Sequence, residues 1–245
     1  MTLLLLGGTA EARAIAEGLA HKGAPTLASL AGVVSAAPYP VAQRVGRFGG
    51  AEGFLDTLAT RGITAVLDAT HPFAERITHR SARLCRDVSI PYARFSRPAW
   101  QTGAGDKWSH VTSPEAAAAA VPEGARVFLA TGAQEVARYA ALSCRAQVYC
   151  RRAEPTSAPF PFAQGQWIVA RGPFSREADC ALFRDLAITC LITKNAGGEG
   201  ARAKLDAARD LSLPVVMIDR PALPEGVEIL NSVEDALAWG LRRCN

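Results

Sequence analysis

The sequence predicts an α/β protein of two parallel-sheet domains that face each other across a cleft. Strand-like and helix-like segments alternate through residues 1–95 and again from Val111 onward, which is the pattern of a parallel sheet. The first strand, residues 3–6, is leucine at every position, so both of its faces should be covered. Glycines follow several of the strands at the edge where open α/β sheets bind ligands. These observations favour two Rossmann-like domains with an interdomain cleft, residues 1–95 and residues 96–245.

A glycine turn and a helix start follow the first strand. Gly7 and Gly8 permit a sharp turn and leave room for a ligand beside the main chain. Thr9 stands at an N-cap position, and Glu11 falls in the first helical turn, where the helix dipole favours an acid. Free N–H groups at such a helix start form an anion site, most often for phosphate. The full fingerprint Gly-x-Gly-x-x-Gly is absent, so a purely structural turn is an equal alternative.

Further elements complete the first domain. We expect strands at residues 26–31, 41–45, 64–68 and 90–95, and helices at residues 51–60 and from about 73 to 88. The loop after the second strand of such a sheet meets the adenosine ribose. Ser35 and Arg44 are therefore candidate contacts for a 2′-phosphate, or ordinary solvated loop residues. Thr70 and His71 lie between a strand end and a helix start, where His71 is either a ligand or catalytic group or an N-cap partner.

A segment without periodicity, residues 96–109, predicts the connection to the second domain. Alternation then restarts with a helix capped by Ser113. We expect strands at residues 126–131, 145–151, 166–170, 187–193 and 214–219, and helices at residues 133–141, after Ser175, after residue 200, and at residues 232–243. Thr131 and Gly132 repeat the arrangement of the opening turn.

Basic residues follow the strands of the second domain and indicate an anionic substrate. Residues 194–200 read Lys-Asn-Ala-Gly-Gly-Glu-Gly, and the helix after them carries Arg202 and Lys204. Exposed amides and positive charge suit an anion, although the Gly-Lys-[Ser/Thr] ending of a Walker A loop is missing. The alternative is a flexible glycine loop with solvated lysines. The predicted substrate contacts are Thr131, Gly132, Arg151, Arg171, Lys194, Asn195, Gly197 and Gly198.

Composition limits the classes of function. The 245 residues are 49% apolar and carry a net charge of +4 with dispersed basic residues, which disfavours nucleic acid and leaves an anionic small molecule open. The six cysteines show no zinc spacing, so no metal site is expected, and they are typical of reduced thiols in a cytoplasmic protein. The N-terminal apolar run is too short for a signal peptide or a membrane span, so no membrane role is expected.

Six blocks, in order through residues 3–221, carry a resemblance to a known family. They are Gly7-Gly-Thr-Ala-Glu-Ala-Arg13, Asp68-Ala-Thr-His-Pro-Phe-Ala74, Arg97-Pro-Ala-Trp100, Thr131-Gly132, Arg171-Gly-Pro173 and Thr193-Lys-Asn-Ala-Gly-Gly198. With these blocks the sequence resembles the precorrin-6A reductases of corrin-ring (cobalamin) biosynthesis. The resemblance implies NADPH-dependent reduction of precorrin-6A, a polycarboxylate tetrapyrrole, to precorrin-6B. It places NADPH mainly on the N-terminal domain and the substrate in the cleft. The predicted cofactor contacts are Gly7, Gly8, Thr9, Glu11, Ser35, Arg44, Thr70 and His71.

The reaction also needs a proton beside the hydride that the cofactor supplies. His71 and Lys194 are the predicted catalytic residues, and solvent is an alternative proton source. Alternatives for the function are cobalt-precorrin-6A reduction, a non-catalytic two-domain binder of an anionic ligand, and a tetrapyrrole transferase or cyclase. Neighbouring enzymes of the pathway are candidate partners.

Overall fold

The structure, a computed structural model, describes residues 1–32 and 38–244. Its strands are β1 Thr2–Leu6, β2 Thr26–Leu30, β3 Ala42–Val45, β4 Ile63–Asp68, β5 Tyr92–Phe95, β6 Lys107–Val111, β7 Arg126–Ala130, β8 Gln147–Arg152, β9 Gly165–Val169, β10 Cys190–Lys194, β11 Pro214–Ile218 and β12 Glu228–Leu230. Its α-helices are α1 Ala10–His21, α2 Ala51–Thr60, α3 Glu75–Asp87, α4 Pro114–Ala119, α5 Arg176–Asp185, α6 Ala203–Asp210 and α7 Val233–Cys244. A 3-10 helix spans Ala133–Leu142.

The chain divides into two compact units. Unit 1 comprises residues 1–98 and 221–245, and unit 2 comprises residues 99–220. The change of unit at residue 98 lies close to the boundary predicted after residue 95. Residues 221–245, which the sequence prediction assigned to the second domain, belong to unit 1. The reason is that β12 pairs in parallel with β5 and α7 packs on α1.

Unit 1 is a parallel sheet with the strand order β12-β5-β4-β1-β2-β3. Leu3 and Leu5 of β1 pack in one core with Ile15 of α1, while Leu4 and Leu6 pack in the other core, where α2 and α3 lie. These four leucines are at most 2% exposed. The uninterrupted apolar run therefore marks a strand covered on both faces, as predicted.

Unit 2 has the strand order β6-β11-β10-β7-β8-β9, and every pairing among the described strands of both sheets is parallel. Its β7, β8 and β9 correspond to β1, β2 and β3 of unit 1, and β10 and β11 correspond to β4 and β5. The outer strand differs in origin, because β6 precedes the rest of unit 2 whereas β12 comes last in unit 1. The two parallel-sheet α/β units predicted from the sequence are thus confirmed.

Two predicted segments differ from the structure, and one strand was not predicted. Strand β6 overlaps the segment predicted as a connection, because it is an edge strand whose mixed exposure shows no alternation. Strand β12 has three residues, too few for a recognisable pattern. The helix predicted at residues 133–141 is a 3-10 helix with a non-helical Tyr139. No helix in the described part of the chain combines the length and the apolar character that a membrane crossing requires.

Candidate functional site

The turn after β1 requires glycine at both of its positions. The Gly7 N–H donates to the Ser29 carbonyl at 2.9 Å, which holds the turn against β2. A Cβ atom on Gly7 would lie 3.1 Å from a Leu30 methyl carbon and 3.2 Å from the Tyr39 hydroxyl oxygen. Gly8 has a φ of 119°, a conformation that side chains of L-residues rarely adopt. Gly7 therefore avoids a close contact with its neighbours, and Gly8 allows a backbone conformation that other residues rarely adopt.

Thr9 caps α1, as predicted, and also joins two loops. Its hydroxyl oxygen accepts from the Ala12 N–H at 3.1 Å, and its hydroxyl donates to the Ala69 carbonyl at 2.9 Å. The Ala69 N–H in turn donates to the Leu6 carbonyl at 2.9 Å. The loops after β1 and β4 are thereby bonded together where the strand order reverses, the position at which open α/β sheets bind ligands.

Tyr39 is part of this turn, and the sequence analysis missed it. Its hydroxyl accepts from the Gly8 N–H at 3.3 Å. The Arg13 guanidinium lies 4.6 Å from the centre of the Tyr39 ring and donates to the Pro38 carbonyl at 3.0 Å. The aromatic residue within Pro38-Tyr-Pro40 was the available signal, but only the folded chain brings it to Gly8.

Glu11 lies in the first turn of α1 and pairs with an arginine. The Arg97 Nη1 lies 2.6 Å from the Glu11 Oε2, and both side chains are partly buried. The Glu11 carboxylate is thus balanced within unit 1. Its predicted contact with a cofactor stays a prediction.

Arg44 braces the turn after β3. Its Nη1 donates to the Ser29 Oγ at 2.8 Å, its Nη2 donates to the Arg47 carbonyl at 3.2 Å, and its guanidinium lies 4.0 Å from the centre of the Phe48 ring. Burial lowers the pKa of this guanidinium. A 2′-phosphate would have to share Arg44 with these partners. Ser35, the other predicted 2′-phosphate contact, lies outside the described residues.

A buried charge network at the end of β4 fixes the loop that follows it. The fully buried Asp68 accepts through Oδ1 from Arg94 Nη1 at 2.5 Å and from the Thr70 N–H and hydroxyl at 2.9 and 2.7 Å. Its Oδ2 accepts from the Thr78 and Tyr92 hydroxyls, both at 2.7 Å. Burial, and then the negative charge of Asp68, raise the pKa of Tyr92. The sequence analysis missed this network, although an arginine inside a buried strand is a usable signal.

Thr70 and His71 are held in place by the same arginine. Arg94 Nη1 donates to the Thr70 hydroxyl oxygen at 2.9 Å, and its Nη2 donates to the carbonyls of Thr70 and His71 at 3.0 and 3.1 Å. The Thr70 side chain thus lies between two charged groups of the fold. The His71 ring is exposed, and its Nδ1 accepts from the Phe73 N–H at 3.3 Å, which assigns the ring hydrogen of the neutral form to Nε2.

Unit 2 contains a cavity of about 390 Å³. Its lining includes Gly132 after β7, residues 151–153 at the end of β8, Asp179 of α5 and the start of α6. Ala170, Gly172, Pro173 and Phe174 line it after β9. Arg151 Nη2 lies 2.5 Å from the Asp179 Oδ1, and the Arg151 guanidinium lies 3.7 Å from the centre of the Phe174 ring. The cavity therefore opens among the carboxyl ends of the strands, and one of its arginines already has a carboxylate partner.

Lys204 also lines this cavity. Its Nζ donates to the Ala201 carbonyl at 2.5 Å and lies 5.1 Å from the centre of the Trp100 ring. Burial lowers the pKa of this lysine to about 8. The sequence analysis noted its charge but did not select it as a site residue.

Two predicted substrate residues, Gly132 and Arg151, meet at the cavity, while others have different surroundings. Lys194 Nζ lies 2.5 Å from the Glu135 Oε1, and Arg171 forms an exposed ion pair with Glu154. Neither side chain is part of the cavity lining, and the same holds for Thr131, Asn195, Gly197 and Gly198.

Asn195 anchors the Trp100 segment. Its Oδ1 accepts from the Trp100 N–H at 2.8 Å, and its Nδ2 donates to the Trp100 carbonyl at 3.0 Å. The Trp100 indole N–H donates to the Gly198 carbonyl at 2.8 Å. The turn at Gly197 and Gly198 has positive φ at both residues. The loop after β10 therefore positions the indole ring over which Lys204 lies.

A parallel sheet whose first strand ends in a glycine turn and a side-chain-capped helix defines a Rossmann-like α/β protein, and unit 1 has this arrangement. The described residues contain no group of three or more His, Cys, Asp or Glu side chains that could hold a metal ion. Comparison with known proteins narrows the class. Residues 2–240 match the model of the family described as Precorrin-6x reductase CbiJ/CobK, and the chain belongs to that family.

Individual relatives agree with the family match. The precorrin-6A reductase of Rhodobacter capsulatus is 42% identical over 242 residues, which cover 97% of this chain and 94% of the relative. The cobalt-precorrin-6A reductase of Salmonella typhimurium is 30% identical, covering 98% of this chain and 95% of that protein. A solved structure of CobK precorrin-6A reductase superposes with a TM-score of 0.91 at 40% identity, covering 99% of this chain and 97% of the other. These matches confirm the resemblance and the two-unit fold.

Proposed function

We propose that this protein reduces one ring double bond of precorrin-6A to give precorrin-6B, with NADPH as the hydride donor, in cobalamin biosynthesis. The observation that carries the proposal is the 42% identity to a precorrin-6A reductase over 97% of this chain. The geometry of each unit supports a division of labour, in which unit 1 binds the cofactor and unit 2 binds the substrate.

The turn after β1 is the proposed site of the NADPH pyrophosphate. Its two glycines let a phosphate approach the main chain, and the N–H groups at the start of α1 supply donors in line with the helix dipole. Thr9 keeps that helix start in place through its bonds to Ala12 and Ala69. NADPH, when bound, supplies the hydride, and the protein's task is to hold and orient it.

The cavity of unit 2 is the proposed site for one edge of the macrocycle. A volume of about 390 Å³ lies within the range of small-molecule sites and suits acetate and propionate arms rather than a whole tetrapyrrole. Arginine and lysine bind such carboxylates by charge-assisted hydrogen bonds. Lys194 and Arg171 stay proposed substrate contacts that would exchange or share their partners Glu135 and Glu154.

Of the two predicted catalytic residues, the geometry favours His71 as the proton donor. Imidazole is the side chain that most often serves as a general acid, and His71 is an exposed residue at a strand end of unit 1. Lys194 lies against a carboxylate, an arrangement that suits anchoring better than proton release.

The metal-free substrate is favoured over its cobalt complex by the comparisons. Identity reaches 42% and 40% with the precorrin-6A reductases of Rhodobacter capsulatus and Rhodococcus erythropolis, against 30% with the cobalt-precorrin-6A reductase of Salmonella typhimurium. The relatives on both sides of this comparison are named reductases, which argues against a non-catalytic binder.

The test is NADPH oxidation in the presence of precorrin-6A. The near-ultraviolet absorbance of NADPH should fall when purified protein and precorrin-6A are both present, and should stay constant when either is omitted. Parallel assays with NADH and with cobalt-precorrin-6A should be slower. Binding of precorrin-6A without any oxidation of NADPH would instead identify a two-unit binding protein.

A further inference from the structure

Lys204 occupies a position that is electrostatically unfavourable for a cation. It lies in the first turn of α6, where the partial positive charge of the helix end disfavours a cation. Its side chain is partly buried beside Trp100, and its hydrogen-bond acceptor is the neutral carbonyl of Ala201. An anion that entered the cavity would therefore stabilise the charged form of this lysine.

The charges around Lys204 leave the cavity cationic. Arg151 and Arg152 at the end of β8 and Asp179 of α5 are the other charged residues of its lining. Since Arg151 lies 2.5 Å from the Asp179 carboxylate, those two charges balance each other. Arg152 packs over Trp167, and its buried Nε makes no hydrogen bond within the described part of the chain. Lys204 and Arg152 therefore line the cavity, and neither forms an ion pair with a carboxylate of the described lining, as Arg151 does with Asp179.

We propose that Lys204, assisted by Arg152, binds one carboxylate arm of the tetrapyrrole in this cavity. The proposal rests on the proposed function, because it assigns a polycarboxylate substrate to unit 2. It adds a substrate-binding residue to those predicted from the sequence, and it makes substrate affinity depend on one titrating group.

The pH dependence has a definite sign. Burial, and then the charge of Arg151, lower the pKa of Lys204 to about 8, while Asp179 opposes the shift. In the empty cavity Lys204 therefore loses its proton above about pH 8, and a bound carboxylate would raise that pKa again. Affinity should be full below this pH and fall above it, with proton uptake on binding.

The other groups near Lys204 should not produce the same signal. Arg151, Arg152 and Asp179 are the other ionisable groups of the cavity lining, and all three are unchanged in a variant that replaces Lys204 alone. Arg202 pairs with Asp206 on α6 itself. Burial raises the pKa of Cys180 of α5, which packs against α6, so its shift is opposite in direction to that of Lys204.

A tetrapyrrole probe tests the proposal directly. Uroporphyrin III carries acetate and propionate arms, and its fluorescence reports binding in titrations between about pH 7 and about pH 9.5. The wild type should bind progressively more weakly above about pH 8. Lys204→Met, which keeps an unbranched side chain but removes the charge, should bind on the order of tenfold more weakly at about pH 7 and show no fall at higher pH. Lys204→Arg should retain affinity at the high end of the range.

The control variant is Lys107→Met, which removes an exposed lysine at the start of β6 and should titrate like the wild type. In the reductase assay, Lys204→Met should raise the KM for precorrin-6A and leave the Kd for NADPH unchanged. A wild-type KM together with a wild-type pH profile in Lys204→Met would overturn the inference while precorrin-6A reduction stood. Absence of NADPH oxidation by the wild type would instead overturn the proposed function, and the porphyrin titration would still report on the cavity.

Discussion

Unit 1 and unit 2 have corresponding strand orders, in which β1 and β7 occupy the same place. The helices that follow these two strands differ. In unit 1, β1 leads through Gly7 and Gly8 to a twelve-residue α-helix whose first turn is capped by the Thr9 side chain. In unit 2, β7 leads through Gly132 to a 3-10 helix without a side-chain cap. Aligned amides and a helix dipole favour anion binding, so the start of α1 suits an anion better than the start of the 3-10 helix does.

The residues that end the corresponding strands β4 and β10 also differ between the units. Asp68 ends β4 and forms a buried pair with Arg94 of the neighbouring strand, with side chains 0% and 1% exposed. Lys194 ends β10 and pairs with Glu135 of the 3-10 helix, with side chains 13% and 31% exposed. The charge pair at this strand end is therefore buried in unit 1 and partly exposed in unit 2.

The largest expected effect is the loss of the Arg94 side chain. Arg94→Met leaves the Asp68 carboxylate buried beside neutral donors only, so the free energy of unfolding should fall by about 3–5 kcal/mol. Urea unfolding followed by circular dichroism measures this loss. Arg138→Met, which breaks an exposed pair with Glu115, is the control and should change stability little. Equal losses in the two variants would show that the Asp68 network does not stabilise unit 1.

A pair of glycine substitutions compares the two turns. Gly8 and Gly132 have φ of 119° and 99°, so alanine strains the backbone at either position. Strain of about 1–3 kcal/mol at the turn after β1 should raise the Kd for NADPH in Gly8→Ala by roughly 5- to 150-fold. Gly132→Ala should leave that Kd unchanged and raise the KM for precorrin-6A. Calorimetric titration with NADPH measures the Kd of both variants. A similar loss of NADPH affinity in the two would contradict the proposal that unit 1 binds the cofactor.

The smallest expected effect concerns helix capping. Thr9→Val removes the cap of α1 and the bond to Ala69, which should cost about 1 kcal/mol and raise the Kd for NADPH about fivefold. Ser113→Ala removes the equivalent cap of α4 in unit 2 and should lower thermal stability comparably without changing the Kd for NADPH. An unchanged NADPH affinity in Thr9→Val would mean that the turn after β1 is structural only.

Patterns within short segments predicted much of this fold. The run of leucines in β1 predicted a strand covered on both faces, and the Thr9 and Ser113 caps are where the sequence placed them. The failures have a common cause. Strand β12 is too short to show a pattern, and its membership of unit 1 depends on pairing with β5, more than 130 residues away in the chain. The 3-10 geometry at Ala133–Leu142 likewise carries no distinct sequence periodicity.

The candidate site divides in the same way. Gly8, Thr9, Gly132 and Arg151 were predicted because each lies next to a strand end or helix start that is visible in the sequence. Tyr39, Arg94 and Lys204 were not selected, because their relevance depends on Gly8, Asp68 and the unit 2 cavity respectively.

The sequence by itself determined the class of fold, the positions of the glycine turns and the family. Only the tertiary structure decided which charges are already paired within the protein, as in Asp68–Arg94 and Lys194–Glu135, and which line a cavity, as Lys204 does. The physical reason is the separation along the chain of the residues that interact. Turns, caps and strand periodicity arise from neighbouring residues, whereas the burial and pairing of a charge depend on segments that meet only when the chain folds.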